Sequence, residues 1–150
     1  MTDTTITAVR TTLLEVPWAG AVPAAGIIPP SQREFLVLQI ETAGGLVGMG
    51  YLQPLSGGLH TLNECLREMI APKIIGRDAT EVEGIWQMLW QSTYWVGRAG
   101  ITTWAMSAVD VALWDIVGKR AGLPLHRLWG NCRPDVEAYG SGCWRGLGRD

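Results

Sequence analysis

From Trp104 to Leu113 the chain reads Trp-Ala-Met-Ser-Ala-Val-Asp-Val-Ala-Leu, and only Ser107 and Asp110 interrupt its apolar character. We read this as the core of a long helix that runs to about Ala121, with Thr102 or Thr103 as its N-cap. Gly122 supplies the stop and Pro124 forbids continuation. A helix apolar around most of its circumference has no face to give to water, so it must be covered on all sides. That requirement restricts the chain to a layered fold with this helix in the middle. The rest of a 150-residue chain covers only part of such a helix. A further layer, outside the chain, is therefore expected.

The elements that do the covering are legible from pattern. Ile6 to Val16 alternates branched and apolar residues and ends at Pro17, which predicts a strand. Trp18 to Arg33 carries Gly20, Gly26 and prolines 23, 29 and 30, and reads as a long loop with apolar tips at Trp18, Ile27 and Ile28. Glu34 to Glu41 predicts a second strand, Ala43-Gly44-Gly45 a turn, and Leu46 to Tyr51 a third strand. Three strands so joined form an antiparallel meander. A second loop follows, to Leu59. Thr61 to about Ile75 has Leu62, Leu66, Met69 and Ile70 on one stripe, with Pro72 near its end. Thr80-Glu-Val-Glu83 has the form of a capping box ahead of a helix with Val82, Ile85, Trp86, Leu89 and Trp90 on one face, broken by Gly97 and Gly100. Val136 to Tyr139 begins a fourth strand, and Gly140 to Asp150 is glycine-rich. A strand with no partner exposes backbone groups, so the chain reads as cut short.

Composition excludes several classes of function. A net charge of −2 gives no electrostatic case for nucleic acid. No apolar run approaches the roughly 20 residues that span a bilayer. Met1 to Thr7 lacks the pattern of a secretory signal, and Cys65, Cys132 and Cys143 show no CxxC spacing. A cytoplasmic protein with incidental thiols fits. His60 and His126 stand apart from any carboxylate motif. The eight tryptophans are expected to fill the core or cover an interface. Gly45-Leu-Val-Gly48-Met-Gly50 sits in a hairpin and is not a dinucleotide fingerprint. Gly140, Gly142 and Gly146 follow a strand, but Arg145 stands where the third glycine of that fingerprint belongs. Asp110 needs a structural partner in so apolar a helix. Asp115 and Lys119 have the i, i+4 spacing of a surface pair.

Several of these segments resemble the mandelate racemase and muconate lactonizing enzyme branch of the enolase superfamily. They are Phe35 to Gly50, Gly76-Arg77-Asp78, and the long run from Ala105 through Ser107-Ala108-Val109-Asp110, Leu113-Trp114-Asp115, Gly118-Lys119, Gly122 and Pro124 to Leu128 and Gly130. Arg133 to Ser141 is similar to the entry into the first barrel strand. The resemblance implies an α+β capping domain at 1–130, a three-stranded antiparallel meander followed by a helical bundle. A linker and the first strand of a (β/α) barrel occupy 131–150, and the remaining barrel is absent here. It implies removal of the proton next to a carboxylate in a racemase, acid-sugar dehydratase or cycloisomerase. Magnesium would stabilise the product anion, its ligands and the catalytic bases lying beyond Asp150. No catalytic base or metal ligand is expected within this chain, and by itself it is expected to be inactive. The implied partners are a small carboxylate substrate and, at full length, further copies of the same chain, with no nucleic acid or membrane.

The two loops correspond to the family's lid. Trp18, Ile27, Ile28 and Tyr51, together with Ser141 at the end of the first barrel strand, are the expected substrate-side residues. Tyr51 and Asn131 depart from the family's frequent acidic residue and glycine. Gly97-Arg98-x-Gly100 resembles members that dehydrate acid sugars, whereas the apolar lid points to a less polar acid. A different class of function, a stand-alone protein-interaction module, is the alternative, and nucleotide binding through Gly140 to Gly146 a third.

Overall fold

The computed structural model describes residues 2–17, 32–54, 57–133 and 135–139. Strands β1 (Ile6–Pro17), β2 (Gln32–Thr42) and β3 (Val47–Leu52) form an antiparallel meander in the order β1-β2-β3. On the central strand every second residue faces the helices, and Leu36, Leu38 and Ile40 are fully buried. The helical layer consists of α1 (Leu59–Glu64), a π segment (Cys65–Ile70), α2 (Ala71–Ile74), α3 (Val82–Ser92), α4 (Ile101–Ala121) and a single turn, α5 (Leu125–Leu128). Leu62, Leu66, Ile70 and Ile74 meet Ile85, Leu89, Val109, Leu113 and Ile116 in one core under the sheet.

Helix α4 ends as its sequence dictates. Gly122 takes a left-handed φ of 64°, its N–H donates to the Lys119 carbonyl, and the Leu123 N–H donates to the Gly118 carbonyl. The helix starts differently from expectation. Gly100 is the N-cap, and Thr102 lies inside the first turn, where its hydroxyl donates back to the Gly97 and Ala99 carbonyls at 2.6 and 3.2 Å. The Thr103 hydroxyl has no partner. The Thr80 capping box does not form either. Helix α3 begins one residue late for it, with Glu81 as the N-cap and no side-chain cap. Thr80 instead gives both its N–H and its hydroxyl to Asp78.

The first helix also differs, in its middle. One turn is widened to π geometry just before Pro72, and the Ala71 N–H reaches back five residues to the Leu66 carbonyl. Proline has no N–H and its ring clashes with the carbonyl four residues back, so a wider turn accommodates it without ending the helix. The expected fourth strand is absent from the described residues: 135–139 lie outside any ladder. A strand exists only through its partner, and no described segment lies beside this one.

Asp78 ties the start of β1 to the turn ahead of α3. Its Oδ1 accepts from the Thr4 hydroxyl at 2.6 Å and from the Thr80 N–H and hydroxyl at 2.9 and 2.8 Å. The Ile6 N–H donates to the Arg77 carbonyl beside it. The Thr4 hydroxyl, with the Thr80 donors next, holds the Asp78 carboxyl below the usual carboxylate range. The bonds to the ionised form are therefore intact above the unfolded value of about 3.9 and are lost as pH falls through the lower folded value. Asp78→Ala is expected to cost about 1–2 kcal/mol at pH 7 in urea unfolding. That gap from wild type should narrow below about pH 4. A gap that stays constant down to pH 2 would show that ionisation of Asp78 is irrelevant.

Candidate functional site

The meander brings its loops to one end. Pro17 pairs with Gln32, and Leu52 pairs with Leu36, so β1 ends, β2 begins and β3 ends along the same edge of the domain. The segments 18–31 and 53–58 both leave from that edge. There the sheet face turned away from the helices is apolar. Leu14 lies opposite Phe35 and Val37 opposite Tyr51, and Leu14, Val16, Met49 and Tyr51 are all exposed.

Tyr51 lies in β3, as the Leu46 to Tyr51 pattern predicts. Gly50 faces the helices, so strand alternation puts Tyr51 on the open face, where it is 66% exposed. It is the one expected substrate-side residue among the described residues. Trp18, Ile27, Ile28 and Ser141 lie outside them, as do the glycines of 140–146.

The rim is held by an unusually close junction between α4 and β3. A Cβ on Gly50 would run into the backbone carbonyl of Ala108, and one on Gly48 would run into that of Ala112 and come within 2.7 Å of the Ile116 side chain. Gly48 and Gly50 of the Gly-Leu-Val-Gly-Met-Gly run thus serve helix–sheet contact, while Gly45 takes a left-handed φ of 84° in the turn. Asp115 and Lys119 complete the junction. Their ion pair, at 2.7 Å, is more than a surface pair. Asp115 accepts from the Met49 N–H at 2.9 Å, and Lys119 donates to the Val47 carbonyl at 2.7 Å. Those are the outward-facing backbone groups of an edge strand, which would otherwise be open to pairing.

Among the described residues no group of three or more His, Cys, Asp and Glu side chains is placed to hold a metal ion. Cys65 is buried, and burial pushes its thiol above the usual range, away from the thiolate that a nucleophile needs. Cys132 is exposed. No described helix is long and apolar enough to cross a membrane. None of the six described tryptophans enters the buried core. Trp86, Trp90 and Trp114 are half-buried, Trp104 and Trp129 are exposed, and Trp95 is 92% exposed.

Comparison with known proteins decides the family. The model of the mandelate racemase / muconate lactonizing enzyme N-terminal domain matches residues 3–130. The chain belongs to that family, within the enolase superfamily. The D-mannonate dehydratase of Caulobacter vibrioides is 41% identical over 79% of the chain and 29% of its own length. The 3,6-anhydro-alpha-L-galactonate cycloisomerase of Streptomyces coelicolor is 34% identical over 89% of the chain and 37% of its own. A solved racemase from Streptomyces coelicolor, with bound magnesium, superposes with a TM-score of 0.78 at 34% identity, covering 83% of this chain and 35% of that one. The chain thus spans about a third of the length of these relatives. The meander and helical bundle are the fold expected of the family's N-terminal domain.

Proposed function

We propose that this chain is the substrate-capping domain of a metal-dependent enzyme that removes the proton alpha to a carboxylate. The observation that carries the reading is the departure of both loops from one sheet end, on a domain matched by the family model over 3–130. Two loops rooted side by side can close together over a site and exclude water from it. Tyr51 stands at their base, and Trp18, Ile27 and Ile28 are assigned to the same surface. Ser141 is assigned to the rim opposite, at the end of the first barrel strand within 131–150. Magnesium is assigned to the barrel, since the described residues here offer no donor set for it. When bound there it would offset charge on the substrate carboxylate.

Acid-sugar dehydration is the reaction we place first, since the relative that is 41% identical carries the name of a mannonate dehydratase. The test uses the longest natural form of the protein with magnesium and a set of acid sugars in D2O. The C2 proton should be lost and the C3 hydroxyl leave as water, and ketonisation of the resulting enol should place one solvent deuterium at C3 of a 2-keto-3-deoxy acid. Finding neither loss of water nor exchange of the alpha proton in any carboxylate offered would sink the reading. Exchange without loss of water would move it to the racemase or cycloisomerase branch.

A further inference from the structure

A third segment reaches the edge where the two loops are rooted. Gly50 lies against Ala108 and Gly48 against Ala112, so α4 runs antiparallel to β3, four helix residues to two strand residues. The next step of that register sets Trp104 level with Leu52. The turn 93–100, which precedes α4, therefore lies beyond the end of β3, at the edge from which segments 18–31 and 53–58 depart. Its backbone is pinned. The Val96 and Gly97 N–H groups donate to the Thr93 carbonyl at 3.1 and 3.0 Å, and the buried Thr93 donates its hydroxyl to the Trp90 carbonyl at 3.2 Å. Side chains stack on this frame. The Arg98 guanidinium lies over the rings of Trp90 and Tyr94, at 5.2 and 4.8 Å from their centroids, and its Nε donates to the Trp90 carbonyl at 3.3 Å. Tyr94 in turn holds Trp95 edge to face, with ring centroids 5.1 Å apart. Yet Trp95 is 92% exposed. Its indole adds nothing to the core, and a chain of stacked groups orients it all the same. A large apolar ring oriented outside the core, where binding loops converge, is a surface for a ligand.

We infer that Trp95 is a specificity-determining wall of the substrate site, packing its indole against the carbon chain of the acid at the end remote from the carboxylate. Arg98 is its positioning residue, acting through Tyr94. The end of the substrate is chosen on charge. An indole face offers dispersion contact and no formal charge, which suits the C–H groups of the chain and not its anionic end. The inference rests on the proposed function, which assigns the carboxylate to magnesium in the barrel and leaves the other end to the cap.

The test uses the longest natural form with magnesium and whichever acid it turns over. Trp95→Ala should raise KM about tenfold or more and leave kcat within about threefold, and Trp95→Phe should recover most of the loss. Arg98→Ala should raise KM in the same direction and by less, because Tyr94 and Trp95 lose the group that they stack on. The Tm of the 150-residue chain should stay within about 2 °C on Trp95→Ala, since no core contact is removed. A KM for Trp95→Ala within about twofold of wild type overturns the inference and leaves the proposed function standing. So does a Tm of the long form lowered by more than about 4 °C with KM unmoved, since Trp95 is then a packing residue. If no acid loses its alpha proton, the proposed function fails and the inference falls with it.

Discussion

Gly50→Ala should cost about 3 kcal/mol or more in urea unfolding, an unusual loss for one added methyl group. The new Cβ meets the Ala108 carbonyl oxygen, with the carbonyl carbon at 3.0 Å and Cα at 3.3 Å. All are backbone atoms of α4, so no rotamer change relieves the contact. The helix must lift from β3, weakening the Asp115 and Lys119 bonds to that strand's edge. A second variant separates this cause from crowding of side chains. Adding Ala108→Gly removes a methyl but leaves the carbonyl in place, and it should bring no recovery. Gly84→Ala is the control, because its Cβ finds only the Glu81 Cβ, at 3.9 Å, within a helix. It should gain about 0.5–1 kcal/mol from helix propensity. A Gly50→Ala cost below about 1 kcal/mol would mean that α4 and β3 are held by something other than backbone proximity.

That junction was open to inference from spacing. Gly48 and Gly50 share one face of a strand, about 6.7 Å apart. Ala108 and Ala112 share one face of a helix, about 6 Å apart. Small residues at matched spacing on a strand and a helix allow close approach, a signal hidden by reading the glycines only as a turn. The meander was plain because alternation and turn residues are local. The stop at Gly122 was plain for the same reason. The helix starts were misread because a threonine near a helix start looks the same at N′, N-cap or N2. Only the backbone of Gly100 and Glu81 distinguishes these positions. The π segment leaves no mark beyond Pro72, since widening one turn shifts the stripe by a single residue. The i, i+4 spacing of Asp115 and Lys119 was visible, but their use of the β3 edge depends on where the sheet lies. Tyr51 was legible as a strand residue, and the inward direction of Gly50 fixes the face it takes.

Leu113→Ala should cost about 2–5 kcal/mol, measured by urea unfolding of the 150-residue chain. Leu113 is 1% exposed within the core formed with Val109 and Ile116. Alanine favours helix at least as well as leucine, so the loss reports the cavity and not the helix itself. Val111, two residues earlier on the same helix, is 51% exposed, and Val111→Ala in the same chain should fall within about 0.5 kcal/mol of wild type. The contrast tests the expectation that so apolar a helix is covered on all sides. In this chain α4 is half covered, and its two faces should differ. A Leu113→Ala cost below about 0.5 kcal/mol would refute the buried face. Equal costs for both variants in the short chain would mean that the open face is already covered there.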